Sequence, residues 1–143
     1  MKLNRLNLIR RLAGIQDERA GEAVRTQRQM RDDADRQRNL LAGYRRGLSL
    51  TIGERNEHDG QALRARSAFI DVAEAACRDA RRQLASSEAQ LREALQRWSE
   101  ARERTRVVAD KYDHARRRAL REQERQAEKE LPAVRTRRDD LSG

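Results

Sequence analysis

Residues 84–108 read LASSEAQLREALQRWSEARERTRVV and repeat uncharged residues at alternating steps of three and four. The repeating positions in this stretch are Leu84, Ser87, Leu91, Ala94, Trp98, Ala101, Thr105 and Val108. This spacing places side chains on one face of an α-helix and is typical of the contact face of a coiled coil. We call this face the seam.

The same spacing extends outward from this stretch and recurs in the first third of the chain. The later frame comprises Leu63, Arg66, Ile70, Ala73, Cys77, Ala80, Leu84, Ser87, Leu91, Ala94, Trp98, Ala101, Thr105, Val108, Tyr112, Ala115 and Ala119. The earlier frame comprises Leu6, Ile9, Ala13, Gln16, Ala20, Ala23, Gln27, Met30, Ala34, Gln37, Leu41, Tyr44, Leu48 and Thr51. Only Arg66 is charged, although a chain with 40% charged residues would place about twelve charges on these positions at random. The pattern therefore predicts two coiled-coil helices and argues against disorder.

The boundaries follow from the polar segment between the frames. They predict an all-α fold with helices over about residues 3–51 and 60–130, joined by a turn over about 52–59. Gly53 is expected to end the first helix in a left-handed cap, and Asp59 to cap the second. A short polar connector favours an antiparallel coiled-coil hairpin. The hairpin is expected to form a single domain over residues 1–131, followed by a disordered tail over 132–143.

The two arms of this hairpin are expected to be unequal. At 1.5 Å per residue the helices would be about 70 Å and about 105 Å long. Pairing outward from the turn places Leu48 near Leu63 and Leu6 near residue 106. The seam residues beyond that point would then lack a partner within the hairpin: Val108, Tyr112, Ala115 and Ala119. Such a surface would bind another chain, mediate homodimerisation or fray at its last turns.

Composition limits the class of protein. The chain has 143 residues, and its 33 basic against 24 acidic residues give a net charge of +9, which favours acidic partners. Arginine dominates the basic residues, which also fits a genome-composition effect. One cysteine fits a reducing compartment, and neither a signal peptide nor an apolar run long enough to cross a bilayer is visible. We therefore expect a cytoplasmic protein.

No constellation of residues predicts catalysis, a bound cofactor or a metal site. His58 and His114 are the only histidines and lie far apart in the sequence. Cys77 falls in the seam, where it is expected to be a buried small side chain and not a nucleophile. The basic cluster over 116–121 is followed at once by several glutamates, so nucleic-acid binding ranks third among the possible functions. The sequence predicts a binding protein and not an enzyme.

Three short segments resemble a known family. Arg10-Arg11-Leu12, Glu18-Arg19-Ala20 and the run over 23–27 are similar to the opening of YscO-type proteins. Residues near the turn resemble those of FliJ: Gln37, Leu41, Tyr44, Leu48, Phe69, Ile70 and Ala73. The stretch from Trp98 to Lys111-Tyr112 resembles the end of both. The chain thus looks like the coiled-coil stalk proteins of type III export, over roughly residues 5–130.

The resemblance implies a fold like the coiled coil of a rotary ATPase γ subunit. It implies that the paired helix ends enter a hexameric export ATPase and that the turn-proximal part contacts the cytoplasmic domain of the export gate. It places the protein beside the inner-membrane export apparatus, with export chaperones as further partners. The implied ATPase contacts are Leu6, Ile9, Arg10, Arg11, Val108, Tyr112, Arg116 and Arg117. The implied gate contacts are Gln37, Leu41, Tyr44, Leu48, Phe69, Ala73 and Ala76. A generic coiled-coil adaptor or export-chaperone escort is the alternative, and the choice between flagellum and injectisome stays open.

Overall fold

The computed structural model describes residues 2–54 and 60–142, with side chains over 2–50 and 60–131. These residues form two helices and no strand: α1 spans Lys2–Glu54 and α2 spans Gly60–Ser142. Long runs of Ala, Leu, Arg, Glu and Gln favour this state because they lose little side-chain freedom in a helix. The predicted all-α class is confirmed.

Both helices extend beyond their predicted ends. α1 includes Gly53 and ends at Glu54, so the predicted left-handed cap at Gly53 is wrong. A single glycine costs a helix about 1 kcal/mol, which by itself does not end one. α2 continues through Pro132 to Ser142, past the predicted end near 130, since a proline can kink a helix without ending it. The predicted cap at Asp59 lies outside the described residues.

The chain divides into two compact units. Residues Met1–Glu18 and Glu100–Gly143 form the first, which we call the terminal unit. Residues Arg19–Ser99 form the second, which we call the central unit. Each unit therefore contains one segment of α1 and one segment of α2.

The seam predicted for α2 is confirmed in both units. In the central unit every predicted position from Arg66 to Trp98 is buried or half-buried, and only Leu63 is exposed. In the terminal unit the same holds for every predicted position from Ala101 to Ala119. The fold therefore covers all but one of the positions predicted for the α2 seam.

About half of the positions predicted for the α1 seam are exposed, so this part of the prediction is wrong. Every second predicted position is buried or half-buried: Leu6, Ala13, Ala20, Gln27, Ala34, Leu41 and Leu48. The positions between them are exposed: Ile9, Gln16, Ala23, Met30, Gln37 and Tyr44. In the central unit the covered positions lie one residue further along, at Val24, Arg31, Arg38 and Arg45. The side chain of Thr51 lies outside the described residues.

Apolar area and the shape of arginine explain this shift. Val24 is only 2% exposed, and burying valine contributes about 1.5–3 kcal/mol, far more than Ala23 would at the same depth. An arginine can pack its aliphatic stem against a seam while its guanidinium reaches the rim. Arg31, Arg38 and Arg45 each meet a carboxylate there, on Asp32, Asp35 and Glu74 at 3.2, 3.0 and 3.2 Å. A charged residue at a seam position is thus compatible with burial of its stem.

Specific contacts define the pairing of the helices. In the central unit Arg45 meets Glu74, and a Cβ added at Gly21 would lie 3.3 Å from the indole nitrogen of Trp98. In the terminal unit the hydroxyl of Thr105 lies 3.2 Å from the carbonyl oxygen of Ala13. The predicted pairing of Leu48 with Leu63 would instead place Arg45 level with residue 66, about one heptad away. The predicted register is therefore wrong by about one heptad.

Candidate binding surfaces

Tyr112 is covered within the terminal unit and is not the unpartnered anchor that the sequence predicted. The guanidinium of Arg10 lies 4.4 Å from the centroid of its ring, and the Tyr112 side chain is half-buried. Arg10 is also oriented by a hydrogen bond of 2.9 Å that it donates to Asn7 Oδ1. A cation over an aromatic face contributes about 0.5–1 kcal/mol at an accessible site. The predicted contacts Arg10 and Tyr112 are therefore brought together, but as partners of each other.

The hydroxyl of Thr105 makes a second contact between α1 and α2 in the terminal unit. Its oxygen lies 2.9 Å from the carbonyl oxygen of Ala101, one turn earlier in α2, and 3.2 Å from that of Ala13 in α1. A hydroxyl has one hydrogen, so the two carbonyls share it. The contact with Ala13 joins the helices at one defined pairing, which an apolar side chain of the same size could not do.

The remaining predicted ATPase contacts differ in exposure. Leu6 and Val108 are half-buried in the seam, as are Ala115 and Ala119 further along α2. Ile9, Arg11, Arg116 and Arg117 are exposed. The expectation that Val108, Tyr112 and Ala115 lack a partner is therefore wrong, because the true register extends the pairing by about one heptad. The accessible part of the predicted set consists mainly of arginines.

The structure adds an apolar stripe to the terminal unit that the sequence reasoning missed. Leu8, Leu12 and Ile15 are 58%, 51% and 46% exposed and follow one another at steps of four and three. At 100° per residue they lie about 150° around α1 from the seam residues Leu6 and Ala13. The signal was present in the sequence, since this spacing is helical, but only one apolar face was predicted for each helix.

Arg106 in the terminal unit already pairs with the carboxylate of Glu103. The Glu103 carboxylate accepts hydrogen bonds of 2.6 and 3.3 Å from the Arg106 guanidinium. This hydrogen bond and the positive charge lower the pKa of Glu103 below its ordinary value. Both groups lie on the exposed side of α2 one turn apart, so Arg106 is a weaker candidate than Arg116 or Arg117 for contacting an acidic partner.

The predicted gate contacts in the central unit divide into an exposed and a covered group. Tyr44 and Phe69 are 58% and 62% exposed, and Gln37 is also exposed. Leu41, Leu48, Ala73 and Ala76 are half-buried, as expected of residues in or beside the seam. Only the exposed group can meet a partner without opening the helix pair.

Two apolar residues missing from the prediction extend this exposed group. Leu40 is 75% exposed and lies one turn before Tyr44 on α1. Val72 is 69% exposed and lies one turn after Phe69 on α2. We call these four residues, Leu40, Tyr44, Phe69 and Val72, the central apolar set. Exposed apolar side chains at helical spacing are typical of protein-binding surfaces.

The groups that could support chemistry are placed as follows. Cys77 is a free, buried thiol, as its seam position predicted, and His114 is exposed, whereas His58 lies outside the described residues. Within the described residues, no group of three or more His, Cys, Asp or Glu side chains could hold a metal ion. Neither helix has a stretch, within the described part of the chain, that is long and apolar enough to cross a membrane.

Comparison of the chain with family models, with curated proteins and with solved structures finds no match. The geometry of the surfaces and the resemblance noted above are therefore what support a function.

Proposed function

We propose that the chain is the non-enzymatic central stalk of a type III protein export ATPase. In this proposal the two helices form an antiparallel coiled-coil hairpin with unequal arms. The helix ends enter the ATPase ring, promote its assembly and ATP hydrolysis, and the turn-proximal part contacts the cytoplasmic domain of the export gate. The observation that carries the proposal is the exposed apolar stripe of Leu8, Leu12 and Ile15 in the terminal unit, a unit that also exposes several arginines.

The order of the helix contacts supports the antiparallel hairpin. In the central unit, Arg45 and Gly21 of α1 meet Glu74 and Trp98 of α2. A lower number in α1 therefore goes with a higher number in α2. Arg10 and Ala13 follow the same order against Tyr112 and Thr105 within the terminal unit. Because α2 has 83 residues against 53 in α1, the same order leaves the last part of α2 without an α1 partner.

Chemistry in the terminal unit supports an acidic protein surface as its partner. The exposed apolar stripe offers a dehydrating contact, and Arg11, Arg116 and Arg117 supply charge. No aspartate or glutamate occurs before Asp17, so the first turns of α1 are basic throughout. A unit that exposes both an apolar stripe and several arginines fits a partner that exposes both apolar residues and carboxylates. The inner wall of a ring ATPase is a surface of this kind in our proposal.

The central apolar set supports a second, separate partner. Its four side chains are more than half exposed, so they can be covered by another protein without disturbing the seam. Tyr44 and Phe69 are the members that the resemblance to export stalks implies for the gate. Leu40 and Val72 extend the same contact by one turn on each helix.

The test uses two matched double variants of the full chain, assayed with the export ATPase and with the cytoplasmic gate domain. Leu8→Ser with Leu12→Ser removes the terminal stripe, and Leu40→Ser with Val72→Ser removes an equal number of exposed apolar residues from the central set. Each lost leucine or valine contact is worth about 1.5–3 kcal/mol when fully buried, so we expect at least about tenfold weaker binding at the affected partner. The first variant should lose ATPase stimulation and hexamer assembly while keeping gate binding, and the second should do the reverse.

If the unaltered chain does not raise the rate of ATP hydrolysis by a matched ATPase, the stalk function is refuted. Equal effects of both variants on both partners would refute the assignment of the two surfaces. Gate or chaperone binding without any effect on the ATPase would favour the alternative, a coiled-coil adaptor or chaperone escort. The central apolar set favours that alternative most directly, because it can serve any helical partner.

A further inference from the structure

An open groove of about 760 Å³ lies in the central unit and is lined by both helices. Its charged lining consists of Arg38, Arg45 and Arg46 from α1 and Arg81 from α2. The small side chains of Ala42 and the buried Cys77 contribute apolar surface to it. We call this feature the arginine groove.

The charges around the arginine groove are not balanced. Arg38 and Arg45 each have one carboxylate partner, on Asp35 and Glu74. Within the described residues, Arg46 donates only to the carbonyl oxygen of Ala42 on its own helix, at 3.5 Å, and Arg81 joins no ion pair. No aspartate or glutamate is among the described residues that line the groove. Four arginines therefore line the groove, and two of them have no carboxylate partner among the described residues.

Two of these arginines are held in place by the fold. Arg38 and Arg45 occupy seam positions and are half-buried, and the Nε of Arg38 is buried without a hydrogen-bond partner. A guanidinium whose stem is packed has lost much of its side-chain freedom before a ligand arrives. Binding an anion then costs less entropy than it would at an arginine projecting into solvent.

We propose that the arginine groove binds an acidic helical segment of a partner protein. Arg38 and Arg45 are seven residues apart, which is about 10.5 Å along α1. Carboxylates seven residues apart on a partner helix repeat the same distance, so each can meet one of these two seam arginines and one of the exposed arginines, Arg46 and Arg81, that line the same groove. A small apolar residue between them would pack on Ala42 and Cys77. This surface is distinct from the terminal stripe and the central apolar set, and its use does not depend on the stalk function.

A carboxylate partner fits the groove better than a nucleic acid does. Aromatic side chains on which bases could stack are missing from the described lining of the groove. The apolar floor suits a side chain, whereas a phosphodiester backbone would leave it uncovered. Bidentate pairing with arginine is available to carboxylates and to phosphates alike, so the experiment includes both.

The probe is a fluorescein-labelled synthetic helical peptide that carries glutamates seven residues apart, with alanine between them. The unaltered full chain is titrated against it at physiological salt, and a peptide with glutamine in place of each glutamate is the ligand control. Arg46→Gln with Arg81→Gln removes two groove arginines that are exposed, so it leaves the seam unchanged. Arg25→Gln with Arg28→Gln is the matched protein control, since both are exposed arginines of the central unit that lie outside the groove lining.

We expect about tenfold weaker peptide binding for the groove variant, from the loss of two charge-assisted hydrogen bonds. The control variant should bind the peptide less than about twofold more weakly, because it loses the same net charge without losing a contact in the groove. Equal losses in the two variants would overturn the proposal, because they would show only nonspecific attraction to a chain of net charge +9. The proposal would also be overturned if the glutamine peptide bound as tightly as the glutamate peptide. A third contradicting result would be a single-stranded oligonucleotide that binds more tightly than the glutamate peptide and loses affinity only in the groove variant.

Discussion

Replacing Gly21 and Gly14 by alanine tests the packing of Trp98, because the two sites differ in what a new methyl group would meet. A Cβ at Gly14 would have no atom within 4 Å apart from its chain neighbours and the nearby backbone of its own helix, whereas a Cβ at Gly21 would lie 3.3 Å from Trp98 Nε1 and 3.7 Å from Cε2. In a helix, alanine is favoured over glycine by about 1 kcal/mol. We therefore expect Gly14→Ala to raise the free energy of unfolding by about 1 kcal/mol.

At Gly21 the same gain is opposed by overpacking against the indole. Inserting a methyl group into a packed contact typically costs about 1–3 kcal/mol. The net effect of Gly21→Ala is expected to lie between about zero and 2 kcal/mol of destabilisation. Urea unfolding followed by circular dichroism at 222 nm measures the free energy of unfolding of both variants. Thermal unfolding is a second measurement, in which a change of 1 kcal/mol shifts the melting temperature by about 4 °C in a chain of this size.

A double-mutant cycle with Trp98→Leu identifies the cause. In the Trp98→Leu background the indole is gone, so Gly21→Ala should become stabilising by about 1 kcal/mol, like Gly14→Ala. If Gly21→Ala stabilises the unaltered chain as much as Gly14→Ala does, Trp98 does not pack against this glycine. The register of the central unit described above would then be refuted.

Three further predictions concern the seam and the contacts between the helices. Val24→Ala should lower the free energy of unfolding in urea by about 2 kcal/mol, whereas Met30→Ala should lower it by less than about 0.5 kcal/mol because that side chain is exposed. The reverse order would show that the α1 seam predicted from the sequence is correct. Thr105→Val should cost about 1 kcal/mol and Thr105→Ser should cost less, since serine keeps the shared hydrogen bond; equal losses would exclude a role for the hydroxyl. Arg10→Gln should cost about 0.5–1 kcal/mol, and that cost should vanish in a Tyr112→Leu background if the cation–π contact is its cause.

The difference between the two helices shows how far the sequence could be interpreted. In α2 the seam was predicted almost completely, because its uncharged residues at alternating steps of three and four coincide with the covered face. In α1 the absence of charge predicted burial of Ala23 and Met30, but the structure covers Val24 and Arg31 instead. A lack of charge predicts burial poorly when the alternative is an arginine, because an arginine can bury its stem and keep its charge at the rim.

The candidate surfaces were less predictable than the seam. Tyr44 and Phe69 were identified from the sequence and are exposed, but Tyr112 was expected to be free and is covered by Arg10. The stripe of Leu8, Leu12 and Ile15 was not identified, although its spacing is helical. Exposure depends on which face the partner helix covers, and a pattern on one helix does not contain that information.

The sequence by itself determined that the chain forms two helices and which residues of α2 face a neighbour, because helix-forming composition and a 3–4 repeat are local properties. Only the tertiary structure decided which residues of α1 face α2 and how the two helices are aligned. A heptad repeat looks the same after a shift of seven residues, so the pattern leaves the register open. Contacts that occur once remove this ambiguity: the Trp98 indole at Gly21, the Thr105 hydroxyl at the Ala13 carbonyl and the Arg10 guanidinium over Tyr112.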